Sequence, residues 1–149
     1  MQTLTFPPFA YQIKKQNGMT LIFDIIRKKY VTLTPEEWVR QHLIHYLVEE
    51  KHYPRTLIAV EKEINLYGLK RRFDVVCYNR QSEPYLIVEC KAPAVALSQT
   101  VFDQVFRYNL VMAAPYVAIT NGVTYYCGRR NEDRTFSFLS GFPPFNPAC

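Results

Sequence analysis

No apolar run in this 149-residue chain approaches the ~18–20 residues needed to cross a bilayer, so a helical membrane protein is excluded. The N-terminus, Met1-Gln2-Thr3-Leu4-Thr5-Phe6-Pro7-Pro8, has no basic-then-apolar layout of the kind that directs secretion. The four cysteines (Cys77, Cys90, Cys127, Cys149) form no CxxC pair and no zinc-ligand spacing. Three of them fall in strand-like segments, where a free thiol is a small core residue, and a reduced, cytoplasmic setting is expected. No GxxxxGK(S/T) phosphate loop occurs, so these residues encode no nucleotide-driven motor. There are also no internal repeats and no low-complexity linker. With 48% hydrophobic and 21% charged residues, the chain reads as one globular domain over residues 1–149.

The net charge of +5 permits a polyanionic partner without demonstrating one. Basic residues gather at Arg27-Lys28-Lys29 and Lys70-Arg71-Arg72. The second cluster has two readings of equal weight, a phosphate-backbone contact or a charged strand edge kept from aggregating. For the first, a solvated edge is the better reading.

Turn formers and periodicity divide the chain. Residues 1–20 read as an irregular arm ending in the Asn17-Gly18 turn, and Thr20 to Leu33 holds one or two short strands. Thr34-Pro35-Glu36-Glu37 opens a helix. Thr34 is the N-cap, Pro35 the first helical residue and Glu37 the partner in a Thr-x-x-Glu capping box. Val39, Leu43, Tyr46, Leu47 and Glu50 form one face of that helix, which fades before Pro54. Strands are expected over Thr56–Leu66, Arg71–Tyr78 and Tyr85–Lys91, and a second helix from Ser98 to about Ala113. Tyr116–Thr120 and Val123–Gly128 flank the Asn121-Gly122 turn, Arg134–Leu139 adds a last strand, and residues 140–149 form an irregular tail. The order α-β-β-β-α-β predicts an α/β fold with a mixed central sheet flanked by helices.

Charge interrupts two of those strands. Asp74 breaks the apolar run Arg72-Phe73-Asp74-Val75-Val76, and Glu89 and Lys91 close Tyr85-Leu86-Ile87-Val88-Glu89-Cys90-Lys91. An unpaired charge in a buried strand costs several kcal/mol, on the order of the stabilisation from a whole core side chain. Strand alternation places Glu89 and Lys91 on one side, with Val88 and Cys90 on the other. If the two strands are neighbours, two carboxylates and an ammonium converge. That is a hard-cation site beside a group able to orient water, the chemistry of metal-dependent phosphodiester hydrolysis. A structural ion-pair cluster is the alternative.

Asp74, fourteen intervening residues and then Glu89-Cys90-Lys91 resemble the D…(D/E)xK signature of the PD-(D/E)xK nuclease superfamily. Thr34 to Gln41 resembles the first-helix opening of the nuclease domain found at the N-terminus of type I restriction enzyme R subunits. Phe102-Asp103-Gln104-Val105-Phe106-Arg107-Tyr108-Asn109 resembles that group's QxxxY helix. The likeness runs from about Phe23 to Gly122, with the motifs in the family's order. Phe73 stands where many members have proline. A type I R subunit also carries a DNA-translocating motor, for which this chain has no room, so the expectation is a nuclease-like domain standing alone.

The resemblance implies a restriction-endonuclease-like core (αβββαβ) and a Mg²⁺-dependent deoxyribonuclease serving restriction–modification or DNA repair, with Mn²⁺ able to substitute. Asp74 and Glu89 would ligate the ion, aided by the Cys90 backbone carbonyl, and Lys91 would orient water or stabilise charge at the phosphate. The first helix would offer an outer carboxylate, Glu36 in preference to Glu37, because Glu36 is placed on the inward face and Glu37 can cap its own helix. Gln104 would border the catalytic residues. Lys70, Arg71, Arg72 and Tyr108 would meet the nucleic-acid backbone. The partners would be DNA, with RNA left open, and a motor or specificity protein. A non-catalytic module binding nucleic acid or protein on the same fold is the alternative. His42 and His45, three apart, lack companions for a metal site and read as packed or solvated.

Overall fold

The computed structural model describes residues 2–66 and 68–146, without the side chains of Leu66, Leu69, Tyr108, Leu110 and Val111. The chain begins with a small antiparallel sheet of β1 (Ile13–Gln16), β2 (Met19–Asp24) and β3 (Lys29–Thr32). Asn17 and Gly18 both adopt positive φ, 52° and 76°, in a two-residue turn that pairs Gln16 with Met19. The segment expected to be an irregular arm thus enters a strand at Ile13. Its Lys14, Lys15 and Gln16 are exposed and give no alternation to read; the turn alone sets the register.

Helix α1 (Pro35–Glu49) starts where the capping residues place it: Thr34 Oγ1 accepts a hydrogen bond from the Glu37 N–H at 3.0 Å. Val39, Leu43, Ile44 and Leu47 are fully buried. The helix is not amphipathic in the expected way, because Glu37, Trp38, Arg40, Gln41, His42 and His45 are buried as well. Phe9 from the N-terminal arm stacks on His45 at 4.1 Å and meets His42 edge-on at 4.7 Å, so both histidines are packed. A helix covered on several sides shows no single apolar stripe.

After a short 3₁₀ turn at Arg55–Leu57 comes the main sheet. It is formed by β4 (Ile58–Leu66), β5 (Leu69–Tyr78), β6 (Pro84–Cys90), β7 (Tyr116–Thr120), β8 (Tyr125–Arg130) and β9 (Phe136–Leu139), hydrogen-bonded in that order. The β6–β7 pair is parallel and the others antiparallel, giving the mixed sheet expected. Helix α2 (Gln99–Met112), capped by Ser98, makes the crossover that the parallel pair requires. Alternation divides the sheet's faces. Val75, Cys77, Leu86, Val88, Cys90 and Ala118 pack in the α1 core, while Phe102 and Val105 of α2 pack on Val117 and Ile119. The tail is irregular as expected but not loose: Phe142 and Phe145 are buried, and the Tyr53 hydroxyl donates to the Pro143 carbonyl at 2.8 Å.

Candidate functional site

Strands β5 and β6 pair regularly from Cys77↔Leu86 to Val75↔Val88. The next opposed residues are Asp74 and Glu89, and there side chains replace the backbone ladder. The Asp74 N–H donates to Glu89 Oε1 at 3.3 Å, and the Cys90 N–H donates to Asp74 Oδ2 at 2.7 Å. On the other side of β5, pairing with β4 passes from Val60↔Val75 to Lys62↔Phe73, omitting Glu61 and Asp74. Glu61 has φ 52°, a left-handed conformation inside a strand. The faces of β5 change at the same point: Phe73 packs with Val76, Ile87 and Ala114, whereas Val75 packs in the α1 core. Asp74 therefore sits in a local irregularity that turns its carboxylate into the gap between strands, toward α1.

From α1, Arg40 reaches that carboxylate with Nη2 3.1 Å from Asp74 Oδ1. The same nitrogen is 3.4 Å from Glu36 Oε1 and 3.9 Å from Glu61 Oε1, while Nη1 is 2.7 Å from Glu37 Oε1. Arg27, in the β2–β3 turn, pairs with Asp24 at 2.5 Å, Glu37 at 2.8 Å and Glu61 at 3.3 Å. Gln41 Nε2 donates to Asp24 and Glu37, both at 3.0 Å. One continuous ion-pair network thus joins the small sheet, α1, β4 and the break at Asp74. A cleft of about 490 Å³ lined by Glu36, Glu37, Arg40, Glu61 and Ala92 opens onto it.

Burial, then the Asp74 charge and hydrogen bond, push the Glu89 carboxyl up to about 8; the Lys91 ammonium partly offsets this. Burial and Asp74 also raise Glu36, opposed by Arg40 and Lys91. Lys91 itself follows β6, half-buried, with its N–H donated to the Thr120 carbonyl at 2.8 Å. Asp74, Glu89, Lys91 and Glu36 are thus within electrostatic reach of one another. Glu36 is half-exposed rather than on the inward face, and Glu37 is the buried one. Only the N–H of Glu37 serves the cap; its carboxylate binds the two arginines.

Six carboxylates (Asp24, Glu36, Glu37, Glu61, Asp74, Glu89) share three cations (Arg27, Arg40, Lys91) in this region. That surplus of hard oxygen donors, with one carboxyl driven toward its protonated form, suits a divalent cation on Asp74 and Glu89. Among the described residues no three His, Cys, Asp or Glu side chains are already gathered as a metal cluster, since Arg40 stands between Asp74 and Glu36.

The other expected residues lie apart. Gln104 is exposed on α2 and does not share the inward face with Val105, and the Tyr108 side chain lies outside the described residues. Lys70, Arg71 and Arg72 are exposed on the β4–β5 hairpin where it extends beyond β6, with Lys70 Nζ 4.0 Å from Glu63. Arg27 is not the solvated charge expected; it is mostly buried and holds three carboxylates. Arg40, Glu61 and Asp24 were not foreseen from sequence. The readable signal was Arg40 itself, a cation between apolar Val39 and Leu43 with glutamates three and four residues before it.

The family described as the type I restriction enzyme R protein N terminus matches residues 35–143. A solved fragment of a protein described as the HsdR subunit of a type I restriction enzyme from Vibrio vulnificus YJ016 has a similar fold. Its TM-score is 0.55 at 18% identity, over 75% of this chain and 24% of that one. No curated protein matches the sequence. Among the described residues no helix is long and apolar enough to cross a membrane.

Proposed function

The chain belongs to the family of type I restriction enzyme R protein N-termini, and from that premise we propose that it is a Mg²⁺-dependent deoxyribonuclease on a restriction-endonuclease-like αβββαβ core. The observation that carries this reading is the opened ladder at Asp74 and Glu89, where two carboxylates meet in a region with more anions than cations. Asp74 and Glu89 would hold the ion together with the Cys90 carbonyl, with Glu36 as outer ligand. When bound, such an ion polarises a phosphoryl oxygen and lowers the pKa of water.

The chain's own residues supply the rest. The Cys90 N–H fixes the Asp74 carboxylate at one oxygen and Arg40 fixes it at the other. Lys91, anchored by its N–H to β7, holds an ammonium where the attacking water and the phosphate would lie. Lys70, Arg71 and Arg72 would contact the nucleic-acid backbone. The restriction role, the DNA substrate, and the motor and specificity partners belong to this proposal. The second reading, a non-catalytic module, is favoured by one observation: Asp74 is already paired with Arg40.

Purified protein incubated with supercoiled, linear and single-stranded DNA in Mg²⁺, Mn²⁺ or EDTA tests the reading, with Lys91→Ala as control. The expected result is metal-dependent cutting that disappears in the variant at unchanged thermal stability. Wild-type cutting by Lys91→Ala would overturn the assignment. Absence of both cutting and Mn²⁺ binding would overturn the nuclease reading in favour of the binding module.

A further inference from the structure

Building on the metal-site reading above, we infer that Arg40 acts as a fixed cation that fills the place of a second divalent ion, restricting the centre to one metal. The guanidinium touches Asp74 Oδ1 at 3.1 Å and Glu36 Oε1 at 3.4 Å through a single nitrogen, Nη2, with Glu61 Oε1 at 3.9 Å from that atom. Three carboxylates from three different elements, α1, β4 and β5, therefore converge on one cationic atom. A bridging aspartate with two flanking glutamates is the donor set a second hard cation would use.

The guanidinium is locked there. Its side chain is only 5% exposed, Nη1 is held by Glu37 at 2.7 Å, and Glu37 is held in turn by Arg27. Among the described residues the Arg40 Nε has no hydrogen-bond partner, so the side chain is positioned for its two terminal nitrogens at the expense of the third. A group oriented this way on Asp74 opposes a second divalent ion by like charge and by occupying Oδ1. The remaining Asp74 contact, Oδ2 with the Cys90 amide, lies on the Glu89 side, where one ion would bind. Glu36 then serves that ion only through water.

The competing explanation is that Arg40 merely stabilises the fold or orients Asp74. The two differ in sign. Loss of an orienting partner weakens metal binding, typically 10–100-fold, whereas loss of a fixed cation adds a second binding event. The test is a count of ions by calorimetry and Mn²⁺ electron paramagnetic resonance on wild type, Arg40→Gln and Arg40→Lys, with thermal melts as the folding control. The expected counts are one for wild type and Arg40→Lys, and two for Arg40→Gln, with spin coupling between the paired Mn²⁺ ions. Should Arg40→Gln fail to fold, the double variant Arg40→Met/Glu37→Gln, which also neutralises the most buried of the carboxylates that Arg40 pairs with, carries the same expectation. One ion in the folded charge-free variants, or two in wild type, would overturn the inference while leaving the nuclease reading standing. No ion in wild type would overturn both.

Discussion

Glu89 sets the pH response of the centre. Its carboxyl is pushed up to about 8 from an ordinary 4.5 by burial and then by Asp74. The stability that goes with the protonated form is complete below about pH 4.5 and is lost as the pH rises through about 8. Glu89→Gln, which keeps the neutral form, should therefore melt several degrees above wild type near pH 9, the gap closing below about pH 5. It should also lose Mn²⁺ binding. A melting difference independent of pH would contradict this. In wild type, Mn²⁺ affinity should rise between about pH 6 and pH 8, because the ion competes with the proton on that carboxyl. Asp74 and Glu89 were legible in the sequence because each is a charge inside an apolar strand. Arg27 was not, because a paired arginine in a turn has the same local pattern as a solvated one, and Arg40 showed only its helix-local glutamates. Only the fold shows that the opposite charges lie on other elements.

At the level of elements, the connection from β7 to β8 supports the site from behind. The Thr120 carbonyl accepts the Lys91 N–H, the Gly122 N–H donates to Thr120 Oγ1 at 3.0 Å, and the Gly122 carbonyl accepts the Thr5 N–H at 2.8 Å. Gly122 has φ 83°, and a Cβ there would lie 2.9 Å from the Leu4 methyl groups and 3.1 Å from Val39 Cγ2. Gly122→Ala should cost about 2 kcal/mol, the sum of left-handed strain and a crowded contact, measurable as a lower urea midpoint. A loss of only about 1 kcal/mol would mean that Leu4 moves aside freely and the left-handed strain alone remains, and an unchanged midpoint would contradict both contributions. The Asn121-Gly122 turn was readable by composition, yet the connection is four residues long and β8 begins at Tyr125 rather than Val123. The Val123 and Thr124 amides donate to Asn121 Oδ1, which holds those residues outside the ladder, a local effect that strand propensity does not register. Strand β1 escaped notice for a different reason: only its pairing with β2, not its composition, makes it a strand.

Across the whole molecule, the two sheets are joined by buried charge as well as by apolar contact. Ile22 of the small sheet belongs to the same core as Val39 and Val88, and Arg27 spans from the β2–β3 turn to α1 and β4. Arg27→Ala would leave the buried Asp24 without its cation and the buried Glu37 with Arg40 alone. The expected loss is about 3–5 kcal/mol. It should vary little with salt, since the pairs are shielded from solvent ions. A loss under about 1 kcal/mol, or one abolished by salt, would show that the network contributes little. The order of helices and strands from α1 to β7 was legible in the sequence, because turn formers and caps mark each boundary. That the small sheet and the arm enclose α1 was not, since enclosure depends on elements distant in the chain.

The break at Asp74 also divides the β4–β5 pair mechanically. From Val75 onward the β5 backbone is paired on both edges, with β4 and with β6; from Phe73 back toward Lys70 its ladder among the described residues runs to β4, with the Phe73 ring still packed on Ile87 of β6. The basic hairpin is therefore a cantilever whose fulcrum is the aspartate. Thermal bending of that arm would sweep Lys70 and Arg72 over a wide arc while moving the carboxylate hardly at all. Amide exchange should record this as fast turnover before residue 74 and slow turnover after it. A charged arm pivoting on the candidate catalytic atom could follow an irregular polyanion and still present each phosphate to the same point.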